Sequence, residues 1–472
     1  MEELYQFDEE FRDTIATVDE KGKRIWVYPK KPKGRFHTWR AIVAVILLVA
    51  LFAGPFISIN GHPLILLNIF ERKFVLFGQA FWPQDFFLFV LAMITLFVFI
   101  ILFTVIYGRV WCGWACPQTI FMEMVFRKLE YLIEGDANQQ RRLDKSPWNF
   151  NKIWRKTVKQ LLFVFIAVLI GHLVMAYLIG IDQVREIVTK PPAENLAGFL
   201  GLVAFSGVFY GVFARFREQA CIAVCPYGRL QGVLLSKESV VVAYDWIRGE
   251  PRKKLKKNQP ETDAGDCIDC KLCVHACPTG IDIRNGTQLE CVNCTACIDA
   301  CDEVMTKINK PTGLIRYDSY EGIKTGKKFR FNARVAGYSI VLTLLLGVFG
   351  FLLVSRTDVE TTVLRVPGML YQNQPDNRIS NLYNIQFVNK TFDPINLQVT
   401  LKDQADGTIK KVGERALMVP PNEKTEGVFF VELPKEVLTG AKTKIILGIY
   451  QDDQLIDEIK TNFLGPINVK GP

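Results

Sequence analysis

The sequence predicts a multi-domain membrane protein: a five-span α-helical membrane domain, a cysteine-rich insert and a C-terminal all-β sandwich. Three observations carry this. Five apolar runs are long enough to cross about 30 Å of hydrocarbon. All 12 cysteines fall between Cys112 and Cys301, leaving the last 171 residues without one. The C-terminal quarter alternates apolar and other residues at period two. Composition agrees, since 49 % hydrophobic and only 22 % charged residues with a mean hydropathy of +0.16 exclude disorder and a simple soluble enzyme. At about 150 residues per unit, a chain of 472 residues should contain two to four units.

The apolar runs lie at residues 41–59, 86–107, 160–181, 196–214 and 335–354. Stretches 41–59 and 86–107 carry no charge at all, and a core helix is rarely apolar on every face for that length. No cleavable signal peptide is expected, because the first 40 residues are mostly polar. Lys and Arg number 9 in residues 1–40, 2 in 60–85, 10 in 108–159, 2 in 182–195 and 20 in 215–334. That alternation puts the N-terminus and the two basic loops in the cytoplasm and the tail outside, in the periplasm if the cell is Gram-negative. The tail's 14 basic residues are compatible, since long translocated domains escape the rule. Residues 252–257 (RKKLKK) read as a solvated or headgroup-facing loop, and the net charge of +9 as membrane orientation, so no nucleic acid partner is expected.

In the tail, Tyr383, Ile385 and Phe387, then Leu397, Val399 and Leu401, then Ile445, Leu447 and Ile449 keep period two. Turn signals at 375–377, 393–394, 406–407, 420–422 and 439–440 separate them. Roughly seven short strands fit an immunoglobulin-like sandwich without its usual Cys pair and Trp. A docking or spacing role is expected, because this domain shows no catalytic constellation.

Two cysteine runs occupy the insert: Cys267-x2-Cys270-x2-Cys273-x3-Cys277-Pro278 and Cys291-x2-Cys294-x2-Cys297-x3-Cys301. This is the spacing of bacterial-type two-cluster ferredoxins. Three cysteines on a tight loop reach three irons of a 4Fe–4S cube, and the fourth ligand comes from the other run. The expected ligands are Cys267, Cys270, Cys273 and Cys301 for one cluster, and Cys291, Cys294, Cys297 and Cys277 for the other. A zinc ribbon is the competing reading, and two complete quartets disfavour it. Asp302 stands where proline commonly follows the last cysteine.

The other four cysteines form a repeated motif, Cys112-x3-Cys116-Pro117 and Cys221-x3-Cys225-Pro226, just past the cytoplasmic ends of the second and fourth spans. An i to i+4 spacing would put each pair on one helical face, and two pairs at one membrane depth would converge into a four-thiol site. Such thiolates suit Cu(I), Zn²⁺ or iron–sulfur chemistry, and a dithiol itself carries two electrons. Incidental buried cysteines are the plainer alternative. Of His37, His62, His172 and His275, only His172 lies in a span, and it reads as a hydrogen-bonded histidine rather than a haem ligand. No dinucleotide or phosphate-binding loop is evident, so electrons are expected from a partner or a small diffusible donor, a cytoplasmic one given the topology.

These residues resemble the CcoG/FixG/RdxA family of cytochrome c oxidase accessory proteins over nearly the whole chain. The resemblance rests on residues 81–86 (FWPQDF), 108–118 (GRVWCGWACPQ), 217–227 (REQACIAVCPY), 244–252 (YDWIRGEPR), 265–270 (GDCIDC), 277–284 (CPTGIDIR) and 300–305 (ACDEVM). It implies a bacterial inner-membrane protein with the two-cluster domain inside and the immunoglobulin-like domain outside. It further implies cupric reductase activity that supplies Cu(I) for cbb3-type oxidase assembly, with copper and oxidase or copper-transport subunits as partners. Cys112, Cys116, Cys221 and Cys225 are then the candidate catalytic thiols. The expected division is 1–40 cytoplasmic, 41–225 membrane domain, 226–334 ferredoxin-like domain, 335–354 fifth span and 355–472 exported domain. A quinol-linked ferredoxin relay and a non-enzymatic assembly scaffold are the alternatives.

Overall fold

The computed structural model describes residues 17–18, 21, 23–59, 61–69, 73–254, 264–326, 332–368, 370–402, 406–413, 417–451 and 453–466. The first 16 residues and residues 255–257 of the basic stretch lie outside them. The chain divides into two compact units, Met1–Ile57 with Val90–Gly347, and Ser58–Phe89 with Val348–Pro472. The loop between the first two spans thus groups with the C-terminal domain rather than with the membrane helices.

Among the described residues, five helices are long and apolar enough to cross a membrane: Arg35–Phe56, Phe86–Tyr107, Phe150–Ile179, Leu196–Phe216 and Ala333–Val354. Rows of outward Phe, Leu, Ile and Val, such as Phe86, Phe87, Phe89, Ile94 and Phe97, give the second a surface suited to lipid. The third helix begins ten residues before the apolar run. Asn149 caps it, its Oδ1 accepting from the Lys152 N–H at 2.8 Å. Its basic first turns are satisfied by ion pairs, Lys159 with Glu134 at 2.9 Å and Lys156 with Asp144 at 2.6 Å. Helix geometry therefore outlasts the hydrocarbon-matched segment, and charge alone places the expected start too late.

The core of the first unit is aromatic. Phe126 meets Phe163 edge-to-face at 4.7 Å and stacks on Phe213 at 4.8 Å. Beside it lies a buried charge network, in which Arg127 pairs with Glu123 and with Glu218 at 3.3 Å, and Arg217 with Glu130. Burial pushes the Glu130 carboxyl up, but Arg217 and Lys159 outweigh it and hold it below the usual range.

In the second unit, one sheet runs Thr408–Lys411, Lys424–Pro434, Arg378–Asn389, Val359–Arg365, with Gln372–Gln374 also on the third of these. The other runs Leu417–Val419, Ile395–Leu401, Lys442–Gln451, Gln454–Leu464. All named pairings are antiparallel. The period-two residues face the shared core: Tyr383, Ile385, Phe387, Ile445, Leu447 and Ile449 are all fully buried. Among the described residues nine strands make the immunoglobulin-like sandwich, two more than expected, because they include strands of three and four residues too short to establish a period.

Residues 58–85 of this unit add a three-stranded sheet, Ile65–Asn68, Lys73–Leu76 and Gln79–Phe81. Its end is fastened to the sandwich by Asp85, whose buried carboxylate takes Lys390 Nζ at 2.7 Å and Arg356 Nη2 at 2.8 Å. Trp82 Nε1 donates to Asn422 Oδ1 at 2.9 Å.

Candidate iron–sulfur and thiol centres

The two cysteine runs adopt the same loop twice. Asp269 and Lys271 of the first have φ of 51° and 55°, and Asn293 and Thr295, at equivalent positions in the second, have 52° and 64°. Four non-glycine residues in the left-handed region are costly, Thr295 most of all, and such strain persists where surroundings over-determine it. Each loop then enters a helix, Leu272–Ala276 or Ala296–Lys307. Proline at 278 cannot prolong the first, so Cys277 sits at its C-cap. Asp302 lets the second continue, so Cys301 lies inside it, and the Asp302 carboxylate accepts the Gly313 N–H at 2.8 Å.

Two small cavities open beside these loops. One is lined by Cys267, Cys270, Cys273 and Cys301. Cys277, Cys291, Cys294 and Cys297 line the other, and Cys273 lines both. Among the described residues, no three His, Cys, Asp or Glu side chains gather at the spacing of a single metal ion. Ligands of one Zn²⁺ would have sulfurs about 3.8 Å apart, from Zn–S bonds of about 2.3 Å in a tetrahedron. A cube binds each thiolate to a different iron, and the quartet of cysteines at each cavity is a donor set that fits one.

Burial pushes the Cys273 and Cys291 thiols up to about 12 and Cys294 up to about 11, and raises Cys297 and Cys301 as well. These thiols keep their protons at neutral pH unless a metal displaces them. Arg284 braces the first loop, with Nη1 on Asp269 at 2.7 Å and Nη2 on Asp282 at 2.6 Å.

The repeated motif departs from the expected helical face. Cys112 lies in the short helix Val110–Trp114, whereas Cys116 is the extended N-cap of Pro117–Ile120. Cys221 lies in the π-helical turn Ala220–Val224, and Cys225 is the extended N-cap of Pro226–Leu234. Proline disfavours the helical conformation for the residue before it, and the second cysteine of each pair leaves the helix. Both motifs close identically, the second cysteine's N–H reaching a carbonyl five residues back: Cys116 to Trp111 at 3.0 Å and Cys225 to Ala220 at 2.8 Å.

The four thiols are brought together nonetheless. Cys112 Sγ lies 3.1 Å from Gln231 Oε1, on the helix that Cys225 caps. Arg109 Nε donates to the same oxygen at 3.1 Å. Burial, then Cys116, Cys112 and Cys225, push the Cys221 thiol up to about 12. Neither Arg109 nor Gln231 stands out as a site residue in the sequence, because nothing local links positions 122 apart.

This thiol group abuts the second cysteine run. A Cβ on Gly113 would lie 2.5 Å from the Val292 carbonyl oxygen and 2.7 Å from that of Asn293. Cys112 packs with Ala276, Val292, Cys294 and Ala296. Tyr317 bridges both sides, its hydroxyl accepting from Trp114 Nε1 at 3.0 Å and donating to the Asn293 carbonyl at 3.1 Å. Two of the histidines are engaged elsewhere: His172 Nδ1 lies 2.8 Å from the Val168 carbonyl, and His62 stacks on Phe392.

Comparison with known proteins agrees with this arrangement. Residues 216–320 match the model of a 4Fe-4S dicluster domain, residues 89–133 that of a 4Fe-4S binding domain, and residues 349–466 that of the IG-like fold at the C-terminal of FixG. Protein RdxB of Cereibacter sphaeroides is 34 % identical over 433 residues, spanning 87 % of this chain and 89 % of RdxB. Protein RdxA of the same organism is 32 % identical, spanning 89 % of this chain and 92 % of RdxA. Nitrogen fixation protein FixG of Rhizobium meliloti is 31 % identical, spanning 88 % of this chain and 87 % of FixG. With relatives above 30 % identity along nearly nine-tenths of its length, the chain belongs to the FixG/RdxA family of membrane iron–sulfur proteins.

Proposed function

We propose that the protein is an inner-membrane electron carrier that reduces Cu(II) to Cu(I) for assembly of a cbb3-type cytochrome c oxidase. The cysteine-rich domain faces the cytoplasm, where a low-potential one-electron carrier reduces it, and the sandwich faces the periplasm. Cys267, Cys270, Cys273 and Cys301 hold one cluster, and Cys277, Cys291, Cys294 and Cys297 the other. Bound there, 4Fe–4S clusters supply single electrons. Each turnover removes one electron from the protein and converts one Cu(II) to one Cu(I). Copper delivery favours this chemistry, because Cu(I) seeks thiolate and thioether ligands whereas Cu(II) prefers N and O in tetragonal geometry.

The observation that carries the reading is the direct packing of Cys112 and Gly113 on the loop of Cys291 and Cys294. It gives electrons a continuous protein path from the second quartet to the Cys112, Cys116, Cys221 and Cys225 region, the expected exit to copper. A Cys112→Ala plus Cys116→Ala variant should keep the two-cluster absorption and lose Cu(II) reduction. Reduction at the wild-type rate refutes the exit.

One observation favours a quinol-linked relay instead. A largely apolar cavity between the third and fourth spans is lined by His172, Ser206 and Tyr210, and the buried Ser206 hydroxyl has no hydrogen-bond partner among the described residues. Mixing reduced protein separately with Cu(II) and with a quinone distinguishes the two, since only the true acceptor is turned over.

A further inference from the structure

We infer that Cys112, Cys116, Cys221 and Cys225 jointly hold a third iron–sulfur cluster of the four-iron class. This deepens the proposed electron route by naming what the exit contains, and rests on that reading only for its purpose.

The cysteine inventory is the first support. The segment 89–133, which matches a 4Fe-4S binding domain, contains only Cys112 and Cys116. A cube has four irons to ligate, so this segment needs two more thiolates. Once the two cavity-lining quartets are set aside, Cys221 and Cys225 are the cysteines that remain of the chain's 12.

Geometry is the second. The motifs are equivalent halves: each begins in a short helical turn, closes with an N–H to a carbonyl five residues back, and ends on an extended cysteine before a helix-opening proline. The halves meet where Gln231 of one takes the Cys112 thiol of the other, and where the carbonyl of Cys221 and the guanidinium of Arg109 both approach Gly228 within 2.9 Å of a Cβ position.

Charge is the third. Arg109 is 4 % exposed, donates to Gln231 at 3.1 Å and also bonds the Leu289 carbonyl. A buried guanidinium needs an anionic partner. Four thiolates around a cube with two positive charges leave a net charge of about −2, which supplies one.

The test is metal content of the full-length protein, purified in detergent and reconstituted without oxygen. Three clusters predict about 12 iron and about 12 sulfide per chain. A Cys112→Ser plus Cys225→Ser variant should fall to about 8 of each while keeping the paramagnetic signal of the interacting pair. About 8 iron in the wild type, with or without one zinc or copper ion, overturns the inference. If the variant loses all its iron through misfolding, the wild-type count still decides. Full iron content without Cu(II) reduction would sink the proposed function alone, and Cu(II) reduction with two-cluster iron content would sink the third cluster alone.

Discussion

Gly113→Ala probes the joint between the thiol group and the second cysteine loop. The added Cβ would stand 2.5 Å from the Val292 carbonyl oxygen, whereas ordinary contact begins at 3.4 Å. The difference requires about 0.9 Å of movement, and the atoms opposed to it are backbone, which has no rotamer to yield. Overpacking of this kind costs about 1–3 kcal/mol, so the loop carrying Cys291 and Cys294 should shift or loosen. The expected outcome is selective: the second cluster bleaches about 5- to 150-fold faster under chelator, at about tenfold per 1.4 kcal/mol, while the first is retained. Stopped absorbance of the cluster bands and low-temperature paramagnetic resonance read this directly, the signal of an interacting pair giving way to that of an isolated cluster. Wild-type bleaching and wild-type Cu(II) reduction in Gly113→Ala would refute the idea that backbone contact at Gly113 couples the two centres.

Other perturbations test other parts of the fold. Phe387→Ala, at a fully buried position of the sandwich, should cost about 3–5 kcal/mol and be seen as earlier urea unfolding of the C-terminal domain in the full-length chain. Asp85→Asn takes the carboxylate from Arg356 and leaves Lys390 with Glu360, 2.8 Å away; loss of a buried partner costs about 3–5 kcal/mol, so proteolysis between the first two spans should accelerate. Burial raises the Asp282 carboxyl but Arg284 outweighs it and holds it below its usual value. A depressed folded value means its contribution is present above the unfolded carboxylate range, near pH 4, and lost as pH falls through the folded value. Cluster retention should therefore fall in acid below about pH 4, and Arg284→Met should move that loss to higher pH, measured as absorbance against pH.

Much of the architecture was legible because backbone geometry imprints a period on the residues. Apolar runs without interruption mark helices in lipid, the alternation around Tyr383 and Ile445 marks strands with one buried face, and the cysteine spacing marks a loop wrapped on a cube. The departure of Cys116 and Cys225 from the helix was also written locally, in Pro117 and Pro226, although the spacing of four drew attention to a helical face instead. Tertiary structure alone brought Gln231 to Cys112, set Gly113 against Val292 and delivered Asp85 to Lys390, 305 residues away. Those pairings follow from how spans and loops pack, which depends on the shape of surfaces far apart in the chain. Periodicity reveals which face of an element is buried, but not which partner covers it, and that is why the cysteines could be counted from the sequence while their neighbours could not.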